Sequence, residues 1–73
     1  MELGKELERA RKESGVTQKE LAKMIGLNQT RISEYEVGKR KPKLEMLIKI
    51  AKALGVRIYI DMDKEELLFV EGK

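Results

Sequence analysis

Apolar positions recur at three- and four-residue spacing through most of the chain, then switch near residue 56 to strict alternation. The first period is that of helices with one buried stripe, and the second that of a half-buried strand. Leu3, Leu7 and Ala10 predict a helix from Leu3 or Gly4 to Ser14, with Arg11 beside the stripe. Glu6, Glu8, Arg9, Lys12 and Glu13 are expected to face water in spaced ion pairs. Ser14-Gly15 ends this helix, and Val16 precedes the next cap as a hydrophobic staple. Thr17 and Glu20 have the spacing of a capping box. The second helix then starts at Gln18, with Leu21, Met24 and Ile25 as its buried stripe and Gly26 as its stop. Leu27 fills the corner, and Asn28 caps a third helix that runs to Glu36.

In that third helix Ile32 and Tyr35 point inward. Gln29, Thr30, Arg31, Ser33 and Glu34 point outward. Amide, hydroxyl and guanidinium groups at the leading end of a helix can read base edges in a major groove. Ala22 is small where two helices must cross closely. The two short helices and their tight turn therefore predict a helix-turn-helix with a recognition helix over residues 28–36. Beyond it, Gly38 permits a turn and Pro42 delays the next helix. Leu44, Leu47, Ile50, Ala51 and Leu54 predict a fourth helix over 43–54, ended by Gly55. Met46 and Ile48 widen its apolar arc and ask for a cover.

The alternating stretch places Val56, Ile58, Ile60 and Met62 on one face of a strand. Residues 61–64 read as a turn and 66–70 as a return strand, which makes a hairpin. A short helix capped at Asp63, with Glu66 as its box partner, is the competing reading. A two-stranded hairpin alone is marginal in water. Its edge is accordingly expected to pair with a second subunit through Val56, Ile58, Ile60, Leu67 and Phe69.

At Gly15-Val16-Thr17-Gln18, Glu20-Leu21-Ala22, Gly26, Gln29, Ile32-Ser33, Glu36, Gly38-Lys39, Pro42 and Ala53-Leu54-Gly55-Val56, the chain resembles the lambda-repressor-like (XRE/Cro-type) helix-turn-helix DNA-binding domains. The resemblance covers roughly residues 4–56. It implies the lambda-repressor-like helix-turn-helix fold for a mainly α chain of four helices over residues 1–55; the β-hairpin or single-strand extension over residues 56–73 is read from the alternation, and residues 57–73 fall outside the resemblance. Many such domains continue with a fifth helix that dimerises, and this chain departs from that pattern. The resemblance further implies an ion pair between Arg11 and Glu36, and a phosphate contact at Gln18.

Charge adds to this picture. Residues 1–60 carry 14 Lys and Arg against 8 Asp and Glu, a balance of +6, while residues 61–73 carry 2 against 5, a balance of −3. A basic body suits a polyanion, with the acidic end turned away from it. Lys39, Arg40, Lys41 and Lys43 crowd the loop after the recognition helix and are expected to grip phosphates together with Lys19.

With neither Cys nor His, the chain lacks thiol nucleophiles, imidazole bases and the usual zinc ligands. No enzyme, metal or cofactor is expected, and no apolar run is long enough to span a bilayer. The sequence thus predicts a cytoplasmic, homodimeric regulator of transcription, more readily a repressor than an activator, on an inverted-repeat operator. An alternative is the antitoxin of a toxin–antitoxin pair that also binds its own operator.

Overall fold

The computed structural model describes residues 2–71. Four helices come first: α1 (Leu3–Glu13), α2 (Gln18–Ile25), α3 (Gln29–Glu36) and α4 (Leu44–Leu54). Strands β1 (Val56–Asp61) and β2 (Glu66–Glu71) follow as an antiparallel pair. The hairpin is the form taken by residues 63–70, rather than the short capped helix.

The local rules read from the sequence operate at the helix ends. Thr17 accepts from the Glu20 amide at 3.0 Å and its own amide donates to the Glu20 carboxylate at 2.9 Å. That backbone contact favours the charged carboxylate and lowers the Glu20 pKa. Asn28 Oδ1 accepts from the Arg31 amide at 2.8 Å. Gly26 lies at φ +76° in the left-handed region, and the Leu27 amide then donates to Ala22 at 2.8 Å. This makes the turn between α2 and α3 short and closed, and it fixes how α3 leaves the body.

Leu7, Leu21, Ile32 and Ile50 are the largest fully buried side chains, one from each helix. Ala10, Ala22, Tyr35, Leu47 and Ala51 complete the helical core. Helices α1 and α3 cross at Gly4. A Cβ there would meet the Glu36 carbonyl oxygen at 2.4 Å and that of Tyr35 at 2.6 Å.

The hairpin departs from expectation in its partner. Phe69 is 2% exposed and belongs to the core, with Val56, Ile58 and Leu67 packed against it. The residues expected to carry that edge-to-edge pairing therefore cover the chain's own helices instead, β2 lying on α1 and β1 on α4. Of that set, Ile60 alone stays substantially open, at 49%.

Glu6 is the reason the hairpin can dock. Expected to face water, it is buried at 3% exposure, and its Oε2 accepts from the Phe69 amide at 2.7 Å. Arg9 donates to Glu6 Oε1 at 3.0 Å and to the Phe69 carbonyl at 2.7 Å. One ion pair on α1 thus satisfies both backbone groups of Phe69, so that residue can be buried at the edge of β2 without unpaired polar atoms.

Three apolar positions also depart from their expected faces. Met24, in the last turn of α2, and Leu44, the first residue of α4, are each 55% exposed at the edge of the core. β1 stops at Asp61, so Met62 sits in the turn, where Asp61 Oδ1 accepts from the amides of Asp63 and Lys64. Met46 is covered within the molecule, while Ile48 stays exposed.

Candidate nucleic-acid interface

The site is built outward from a buried charge. Arg11 Nε lies 2.6 Å from Glu36 Oε2, and its Nη2 donates to Oε1 at 3.1 Å. Both residues are 7% exposed. Arg11 Nη1 also donates to the Val16 carbonyl at 2.8 Å, which ties the pair to the segment entering α2. The Glu36 carboxylate holds the guanidinium charged and raises the Arg11 pKa.

From that anchor a chain of amides reaches the surface. Gln18 Nε2 donates to Glu36 Oε1 at 2.9 Å. Gln29 Nε2 points at Gln18 Oε1 from 3.5 Å, near the limit of a hydrogen bond. Gln29 is exposed, as is Thr30. The first turn of α3 therefore presents an amide oriented from below beside an exposed hydroxyl, both open above.

A shallow hollow of about 460 Å³ gathers Gln18, Gln29, Thr30, Ser33, Glu34, Val37 and Lys39. This brings together most of the residues expected to read bases and two of those expected to hold phosphates. Arg31, Lys19, Arg40, Lys41 and Lys43 do not line it. Arg40 and Lys41 instead border a second hollow with Leu3, Pro42 and Leu67, on the far side of the same loop. Lys19, Lys39, Arg40, Lys41 and Lys43 are all exposed.

Glu34 has a different setting from the open acceptor anticipated. Its Oε1 lies 3.3 Å from Arg40 Nε and 3.8 Å from Arg31 Nε. Its carbonyl also accepts from the amides of Lys39 and Arg40, at 2.9 and 3.2 Å. Glu34 thus gathers the cationic loop against α3. Sequence reasoning overlooked Val37, which is 71% exposed inside the hollow. A valine left in water beside polar readers was a signal in the pattern.

Among the described residues, no group of three or more His, Cys, Asp or Glu could hold a metal ion, and no helix is long and apolar enough to cross a membrane.

Residues 7–60 match the family model described as helix-turn-helix, and the chain belongs to that family. The lambda-repressor-like kinship read from its motifs is the same one. The multiprotein-bridging factor 1 of Debaryomyces hansenii is 40% identical over 58 residues, covering 80% of this chain and 39% of that protein. The HTH-type transcriptional regulator ImmR of Bacillus subtilis is 34% identical over 67 residues, covering 92% of this chain and 53% of the regulator. The chain thus spans from about two fifths to half the length of these relatives. Among solved structures, the P22 c2 repressor protein in complex with synthetic operator 9T superposes with a TM-score of 0.68 at 31% identity, over 74% of this chain and 82% of that one.

Proposed function

We propose that this chain binds duplex DNA sequence-specifically and regulates transcription, with α3 in the major groove. The observation that carries the reading is the exposed Gln29–Thr30 tip, whose Gln29 amide is oriented through Gln18 by the buried Glu36–Arg11 pair. Gln29 can pair in bidentate fashion with adenine, and Thr30 can meet a thymine methyl. Arg31 and Ser33 extend the same face. Glu34 holds Arg40 near the backbone through Oε1 and keeps Oε2 to accept from cytosine.

Gln18 meets a phosphate at the start of α2, where free amides and the helix dipole favour an anion. Lys19, Lys39, Arg40, Lys41 and Lys43 supply further backbone contacts. The P22 repressor, a structural neighbour solved on an operator, supports this mode of docking. A two-fold dimer would offer two such helices to half-sites about 34–36 Å apart, on an inverted repeat. Bound near a promoter, it would obstruct polymerase, which favours repression.

Selection of bound sequences from random duplexes at a fixed salt concentration tests this reading. An inverted repeat with about one helical turn between half-sites is the expected product. Retention of every sequence equally would overturn sequence-specific binding.

A further inference from the structure

The hairpin spends one face on its own core and leaves the other bearing an apolar and charged pattern of which only Asp61 Oδ1 has an internal use, in the turn. On β1 the outward residues are Arg57, Tyr59 and Asp61. Tyr59 is 57% exposed, and Arg57 makes no ion pair among the described residues. The sheet has two strands, so the second edge of β1 carries no strand partner. An open edge of this kind is a template for another strand.

The order of side chains along β1 selects that partner. A two-fold axis perpendicular to the sheet at Tyr59 would set Tyr59 opposite its own copy. In that register Arg57 falls opposite Asp61 of the second chain, and Asp61 opposite its Arg57. Ile58 falls opposite Ile60 on the inner face, which covers the one inward side chain the core leaves open. Opposite charges, an aromatic pair and paired β-branched residues are the cross-strand combinations that stabilise antiparallel strands. The same register brings a guanidinium to the end of the hairpin where Asp61 faces Glu66 across the ladder. β2 offers no such match. Centring its copy on Leu68 or Phe69 sets Glu66 opposite Val70 or Glu71 opposite Leu67.

We propose that β1 pairs antiparallel with β1 of a second copy, centred on Tyr59, to make a four-stranded intersubunit sheet closed by reciprocal Arg57–Asp61 ion pairs. The inference deepens the dimer of the preceding subsection and takes its role from it. Self-association is read without DNA, so its failure is a separate result from a failure to bind duplex.

Cross-linking tests the register directly, since the chain has no cysteine of its own. Directly opposed residues in antiparallel strands have Cα atoms about 4.5–5.5 Å apart, within disulfide reach. Tyr59→Cys lies on an exposed face and should leave the fold intact. Its oxidation should give a disulfide dimer, while Arg57→Cys and Val70→Cys, each alone, should stay monomeric on a denaturing gel.

In sedimentation equilibrium, Arg57→Glu should weaken association at least tenfold. Mixing it with Asp61→Lys should restore a heterodimer, because both cross-pairs become complementary. Three results would overturn the proposal: a wild-type monomer at micromolar concentration, no disulfide from Tyr59→Cys, or equal cross-linking from Val70→Cys.

Discussion

A buried arginine and glutamate at 2.6 Å do two separable things in this molecule. Their attraction offsets the cost of taking two charges out of water, and the carboxylate that remains organises Gln18. Removing one partner leaves the other buried and uncompensated, a loss of about 3–5 kcal/mol. Arg11→Met should therefore lower the unfolding free energy by that amount in a urea titration.

Glu6 predicts a pH dependence at the same scale. Arg9 first, and the Phe69 amide after it, hold its pKa below the ordinary 4.5, against the opposing effect of burial. A depressed folded pKa means that the contribution is complete above about 4.5, the unfolded value, and is lost as pH falls through the lower folded value. Wild type should lose stability through that acid window. Glu6→Gln should start lower and show a flatter profile there, as followed by denaturation midpoints against pH.

Elements were legible where a rule is local. Periodicity set the four helices, Thr17 with Glu20 and Asn28 set two starts, and Gly26 and Gly55 set two stops. The alternation of residues 56–61 was likewise enough for a strand. What could not be read was long range. Glu6 and Arg9 carry the spacing of a solvated helix face, and their partner at Phe69 is 63 residues from Glu6. Nothing within a helical turn distinguishes that glutamate from Glu13.

The hairpin's docking was missed for the same reason, so the residues that cover the helices were assigned to edge pairing with a second subunit. Gly4 is a further case, since its need arises only where α1 meets the end of α3. Gly4→Ala must push those backbones apart and should cost about 1–3 kcal/mol. A thermal melt would show it, whereas an Ala at an exposed α1 site such as Lys5 should be nearly neutral.

In the candidate interface, residue types and order were legible, but connections were not. The pattern marked Gln29, Thr30 and the Lys39–Lys43 loop. It did not show that Gln18 bridges Glu36 to Gln29, or that Glu34 is engaged by two arginines.

For the whole molecule, the +6 body and the −3 end matter more than the net charge of +3. A protein that neutralises phosphates releases counterions, so its affinity falls with salt in proportion to the contacts made. Lys41→Ala should reduce the slope of log affinity against log salt by about 0.9. It should also weaken all duplexes alike, and an unchanged slope would remove Lys41 from the backbone-contacting set.

The central claim is that the tip of α3 discriminates between bases because the buried pair beneath it fixes its amides. Binding of wild type and Gln29→Ala to the selected duplex, and to its single-base variants at one salt concentration, measures this most directly. The account predicts a loss of about 1–3 kcal/mol on the selected duplex, with preference relaxed at one position in each half-site. An equal loss on every duplex, with all base preferences intact, would contradict it.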